Sequence, residues 1–143
     1  MVGKVDQTSP ESQGIFLGPA KKPTPRVLVV DDERLVRWSV TEALRAHGLE
    51  AEDAGDGKSA IARLDEGCDL VQLDLCLPDS QDFRVVSTIR SQAPSVPVIL
   101  MTSYASREIA EAAAALGASL MPKPFDLDDL MVAVDAALAG AAS

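Results

Sequence analysis

Short apolar runs alternate along this chain with stretches in which apolar side chains recur every three or four residues. Val27-Leu28-Val29-Val30 is wholly apolar and stops at two carboxylates, Asp31 and Asp32, the pattern of a short strand buried on both faces. Val36, Val40, Ala43, Leu44 and His47 then recur at helical spacing, with Gly48 as the stop and His47 placed as a structural residue on the inward stripe. The alternation continues. A weak strand over 49–54 precedes a short helix over 58–66, and a strand over 69–74 precedes a helix from about 84 to 92. A strand over 96–101, a helix from about 107 to 116 and a strand around 118–121 follow, and Leu127, Leu130, Met131, Val134 and Leu138 mark a closing helix. Five strands alternating with five helices, the central strands apolar on both faces, predict a doubly wound parallel α/β sandwich with helices on both faces of the sheet.

Residues 1–25 break this rhythm. Pro10, Pro19, Pro23 and Pro25 stand among Ser, Thr, Gln, Gly and Lys with no apolar period, so the chain divides into a disordered arm over 1–25 and one domain over 26–140. Ile15-Phe16-Leu17 is the arm's one apolar cluster, and three apolar residues in a tail define no docking site. With 22 acidic against 13 basic side chains the net charge is −9, which disfavours direct binding to nucleic acid or to anionic membranes. Cys68 and Cys76 match no zinc spacing, and a chain of this size needs no disulfide framework, so both are expected as thiols. No apolar stretch has the length of a signal peptide core or a membrane span, which makes the cytoplasm the expected location.

The chemistry gathers at the carboxyl ends of the predicted strands, where ligands bind in open α/β sheets. Asp31, Asp32 and Asp74 all lie there, and three negative charges held close together call for a cation. Oxygen-only ligation with few protein ligands favours Mg²⁺ over Ca²⁺. Thr102 and Ser103 close a fourth strand and Lys123 a fifth, supplying a hydroxyl and an ammonium for phosphoryl oxygens. Asp74 is the candidate nucleophile, since a carboxylate can form an acyl phosphate, and Asp31 and Asp32 are then the metal-holding pair. Taken singly each of these residues is ordinary, and the signal lies in the combination.

VLVVDDE at 27–33, LDLCLP at 73–78, MTS at 101–103 and KPF at 123–125 resemble the receiver domains of bacterial two-component response regulators, in the same order and at compatible spacing. The resemblance implies a flavodoxin-like strand order of 2-1-3-4-5, with Asp74 as the phosphoacceptor. Mg²⁺ would be held by Asp31, Asp32 and Asp74 and by the backbone carbonyl of Cys76. Thr102 would be the switch hydroxyl, Lys123 the ion partner, and the bond before Pro124 cis. It also implies a phosphohistidine donor on a sensor histidine kinase or phosphotransfer protein, Asp74 chemistry limited to the domain's own phosphorylation and dephosphorylation, and an output face on the last two helices through which two copies could pair. RLVRWSVTEAL and MTSYAS are similar to receivers of sigma-54-dependent activators. The residues after Ala139 leave no room for an ATPase or helix-turn-helix domain, so a stand-alone receiver and a fragment of a longer regulator both stay open.

The chain departs from the family pattern at several positions. Leu120 replaces the usual aromatic residue three positions before the lysine, Ser103 stands where Ala or Gly is usual, and Asp82 stands where glycine is common. Gln72 puts an amide inside an apolar strand, where it needs a hydrogen-bond partner. Cys76 and Tyr104 occupy the positions that tune dephosphorylation in the family, and the bulk of Tyr104 implies a slowly decaying phosphoryl group. These departures motivate the rival reading of a pseudo-receiver, a phosphorylation-independent interaction module; retention of all five key groups opposes it. A haloacid-dehalogenase-type phosphatase would need a second Asp where Cys76 stands, and a dinucleotide-binding domain a Gly-rich turn where Asp31-Asp32-Glu33 stands.

Overall fold

A computed structural model describes residues 23–80 and 82–142. The arm expected over 1–25 lies mostly outside the described residues. Ten elements follow in strict alternation: β1 Arg26–Val30, α1 Arg34–Ala46, β2 Glu50–Ala54, α2 Gly57–Leu64, β3 Leu70–Asp74, α3 Arg84–Gln92, β4 Val98–Thr102, α4 Arg107–Ala115, β5 Ala118–Pro122 and α5 Leu127–Ala142. The strands form one five-stranded sheet in the order β2-β1-β3-β4-β5, with every pairing parallel.

Burial follows position in that order. β3 and β4 are buried at every residue and β1 at all but Arg26, as central strands covered on both faces must be. The edge strands β2 and β5 are only partly covered, which is why Glu50-Ala51-Glu52-Asp53-Ala54 carries so weak an apolar signal. β4 begins at Val98, two residues later than its apolar run suggests. Pro97 has no N–H for the ladder, and only its carbonyl is used, by the Val71 N–H at 3.0 Å.

Alternate residues of each strand feed two separate cores. On one face Leu28, Val71, Leu73 and Leu100 meet Ala60 of α2, Val86 and Ile89 of α3 and Ala113 of α4. On the other, Val27, Val29, Leu70 and Ile99 meet Val40 and Leu44 of α1 and Leu130 and Val134 of α5. Gly48 follows α1 as the stop the sequence predicts, two residues past Ala46, with a φ of +88° that favours glycine.

His47 corrects one expectation. It caps α1 rather than lying on its inward stripe; the ring is exposed, and Nε2 lies 2.9 Å from Oδ2 of Asp135. The helix ends one residue earlier, at Ala46, so the imidazole reaches sideways to α5 instead of down to the sheet. Its role is structural, as a tie between α1 and α5.

Candidate functional site

The sheet order puts the chemistry together. β1 and β3 are central neighbours, with Val30 opposite Leu73, so the residues that follow, Asp31 and Asp74, arrive side by side. Carboxylate oxygens of Asp31, Asp32 and Asp74 all lie within 4.8 Å of one another. Asp31 is fully buried and Asp74 only 5% exposed, while Asp32 faces solvent. Each buried carboxylate is held by the backbone: Oδ1 of Asp31 accepts from Glu33 N–H at 2.9 Å, and Oδ1 of Asp74 accepts from Cys76 N–H at 3.1 Å. That leaves both Oδ2 atoms facing Lys123, whose Nζ stands 2.8 Å from Asp31 and 3.4 Å from Asp74. The lysine is set by the end of β5, where its N–H donates to the Thr102 carbonyl at 2.7 Å and the Lys123–Pro124 bond is cis, as expected.

These distances fix the electrostatics. Burial, with the charge of Asp31 added to it, pushes the Asp74 carboxyl above its usual range, against the opposing pull of the Cys76 N–H and Lys123. Burial pulls Lys123 down, yet its hydrogen bond to Asp31 and the charges of Asp31 and Asp74 outweigh burial and leave it above the ordinary lysine value. An oxygen-only acidic pocket with one carboxylate open to solvent fits a hard divalent cation.

Thr102 ends β4 buried, and its Oγ1 accepts the Tyr104 N–H at 3.0 Å. The Tyr104 side chain itself is 77% exposed. Ser103 and Lys123 border a groove of about 540 Å³ whose apolar wall includes Val36, Val40 and Phe125. Leu120, in the place of the family's aromatic residue, is partly buried against the first core.

Comparison with known proteins identifies the family and the fold. Residues 27–135 match the family described as "Response regulator receiver domain". The chain belongs to the response-regulator receiver family. The receiver is 38% identical over 115 residues to the regulatory protein AtoC of Escherichia coli (strain K12), an alignment covering 79% of this chain and 25% of that protein. It is 32% identical over 114 residues to the DNA-binding transcriptional regulator NtrC of Salmonella typhimurium (strain LT2), covering 78% and 24%. The chain thus spans about a quarter of the length of either relative. Among solved structures, a CheY-like response regulator receiver domain protein from Methanospirillum hungatei JF-1 superposes with a TM-score of 0.79 at 26% identity, over 83% of this chain and 97% of that one. The doubly wound fold, its strand order and the receiver assignment expected from the sequence are therefore all found.

Asp31, Asp32, Asp74 and Lys123 form one cluster, and Thr102 is joined to it through the backbone of Lys123. Two residues that hold loops around the acidic cluster are not singled out by the sequence as site residues. Arg37 donates to the Asp31 carbonyl from Nη1 at 2.8 Å, and Asp79 accepts the N–H groups of Gly57 and Lys58 at 2.8 and 3.0 Å. The Asp79 contacts span about twenty residues of sequence, and Arg37 also donates to Asp53, sixteen residues on, where periodicity gives no hint of contact.

Proposed function

We propose that this receiver accepts a phosphoryl group on Asp74 from the phosphohistidine of a sensor histidine kinase or phosphotransfer protein. The observation that carries this reading is the placement of Asp74, a carboxylate buried among acidic neighbours with one oxygen 3.4 Å from the Lys123 ammonium. A carboxylate oxygen of Asp74 bonds to phosphorus as the P–N bond to the donor imidazole breaks and the imidazole leaves with the bonding pair. Lys123 binds a phosphoryl oxygen. Thr102 accepts the Tyr104 N–H and so keeps its hydroxyl proton free to donate to another phosphoryl oxygen. Asp31, Asp32, Asp74 and the Cys76 carbonyl would hold Mg²⁺, which when bound neutralises phosphoryl charge.

Incubation with Mg²⁺ and acetyl phosphate, followed by intact-mass spectrometry, tests this directly. A gain of one phosphate is expected in the parent and none in Asp74→Ala. No gain in either protein, with no Mg²⁺ binding, would favour the pseudo-receiver that Leu120 and Ser103 recommend.

The chemistry is confined to the domain's own phosphorylation and dephosphorylation, and the output is a shift between two conformations of the face formed by α4, β5 and α5. That face is the proposed surface for a homodimer. The cytoplasm is the proposed location, no helix among the described residues being long and apolar enough to cross a membrane, and the chain's net charge of −9 disfavours direct binding to nucleic acid. Tyr104 is proposed to slow hydrolysis of the acyl phosphate through the bulk it adds two residues beyond Thr102, at the mouth of the site. Tyr104→Ala is expected to lose phosphate several-fold faster, read from the decay of the phosphorylated mass after the donor is removed; an unchanged half-life would remove Tyr104 from this role.

A further inference from the structure

The corner between β2 and α2, residues 53–58, supplies no ligand to the acidic pocket, yet the loops on both sides of the pocket are tied to it. The first tie comes from α1. Arg37, its side chain only 20% exposed, donates from Nη1 to the Asp31 carbonyl at 2.8 Å and from Nε to Oδ2 of Asp53 at 3.0 Å. The guanidinium lies so close over Gly55 that a Cβ there would stand 3.0 Å from Nη1. The Asp31 N–H is also taken by this corner, donating to the Ala54 carbonyl at 3.1 Å. Both backbone polar groups of Asp31 are thus fixed from outside its own loop.

The second tie comes from the loop between β3 and α3. Oδ1 and Oδ2 of Asp79 accept separately from Gly57 N–H at 2.8 Å and Lys58 N–H at 3.0 Å, at the start of α2. These are backbone donors that a helix leaves unsatisfied. Close approach demands glycine here too: a Cβ on Gly57 would meet Val85 at 2.8 Å and Asp79 at 3.2 Å. Between Asp74 and Asp79 the loop is braced by the Cys76 N–H on Asp74 and by paired hydrogen bonds between the backbones of Leu77 and Ser80. A carboxylate anchored at residue 79 therefore limits the movement of the Cys76 carbonyl only three residues earlier.

We propose that the β2–α2 corner, acting through Arg37 and Asp79, is a positioning element that sets the divalent-cation affinity of the pocket without touching the cation. This rests on the reading of Asp31, Asp32, Asp74 and Cys76 as Mg²⁺ ligands. Arg37 holds the loop bearing the acidic pair, Asp79 holds the loop bearing the Cys76 carbonyl, and the glycines permit both approaches. Preorganised ligand loops bind a cation with less ordering still to be done, and partners behind the ligands are commonly worth 10–100-fold in metal affinity.

The test is calorimetric titration of Mg²⁺ into the full chain, well below the melting temperature, for the parent, Asp79→Ala, Asp79→Asn and Arg37→Met. Asp79→Ala is expected to raise the Mg²⁺ dissociation constant about 10-fold. Asp79→Asn keeps one acceptor oxygen and should fall between it and the parent; should Asp79→Ala fail to fold, Asp79→Asn carries the test alone. Labelling with acetyl phosphate should show a raised half-saturating Mg²⁺ concentration but a rate within about twofold of the parent at saturation, a separation that a general loss of structure would not produce. A parent that binds Mg²⁺ and folded variants that bind it equally well would overturn the proposal alone. A folded parent that binds no Mg²⁺ would overturn the ligand assignment, and this proposal with it.

Discussion

Lys123→Met is expected to destabilise the metal-free receiver by about 3–5 kcal/mol, because it leaves buried carboxylates facing one another without a cation. Asp31 is fully buried, Asp74 is 5% exposed, and the ammonium lies 2.8 and 3.4 Å from their oxygens. Methionine keeps most of the length and apolar bulk of the side chain, so lost charge rather than lost volume dominates. For a domain of this size the melting temperature should fall on the order of 10–20 °C in EDTA. Millimolar Mg²⁺ should restore a substantial part of the loss, since a divalent ion in the acidic pocket supplies the charge that the lysine did. A variant melting within a few degrees of the parent in EDTA would show that the ion pair contributes little to the fold.

The pH dependence follows from the same geometry. Lys123 stands above its ordinary value in the folded chain, so its contribution is fully present below about pH 10.5 and is lost as pH rises through its higher folded value. Asp74 works in the opposite sense. A carboxyl held above its ordinary value costs stability at neutral pH, and that cost is relieved as pH falls through the folded value. Removing the lysine strengthens this second effect. Lys123→Met should gain stability relative to the parent as the solution is acidified from pH 7 toward 5, and thermal melts across that range would show it.

The site was readable from the sequence to the extent that it sits at the ends of strands. Val27–Val30, Val98–Met101 and, apart from Gln72, Leu70–Leu73 are apolar because both faces are covered, and a polar residue that ends such a run must emerge at the sheet's edge. Asp31, Asp74 and Thr102 are legible for that reason, and Lys123 because it follows the end of the last strand. Arg37 and Asp79 are not: Arg37 reaches the Asp53 side chain at the end of β2 and Asp79 the first backbone N–H groups of α2, and such contacts arise from the strand order, which the resemblance implied but periodicity could not yield. His47 misled because helical spacing continues one residue past the point where α1 ends.

Gln72 is the residue where the local pattern and the fold disagree, and its replacement by leucine is expected to stabilise the receiver by about 1–2 kcal/mol. It is fully buried in β3, between Val29 of β1 and Ile99 of β4. Alternation along the strand puts it on the same face as Leu70 and Asp74. Its Nε2 lies 2.9 Å from the Met101 sulfur, a weak acceptor, and its Oε1 has no hydrogen-bond partner among the described residues. A buried amide oxygen left in this way costs about 1–3 kcal/mol of desolvation. Leucine has similar bulk and no polar atom, so it removes that cost while filling most of the same space, with part of the gain offset by shape mismatch in a close-packed sheet. The melting temperature should rise by roughly 3–8 °C. A Gln72→Leu protein less stable than the parent would mean that the amide contributes more than it costs. If stability rises as expected while the NMR shifts proposed for the α4–β5–α5 face on phosphorylation shrink, the amide two residues before Asp74 loosens the central strand in a way that couples the proposed acceptor's loop to the phosphoryl group.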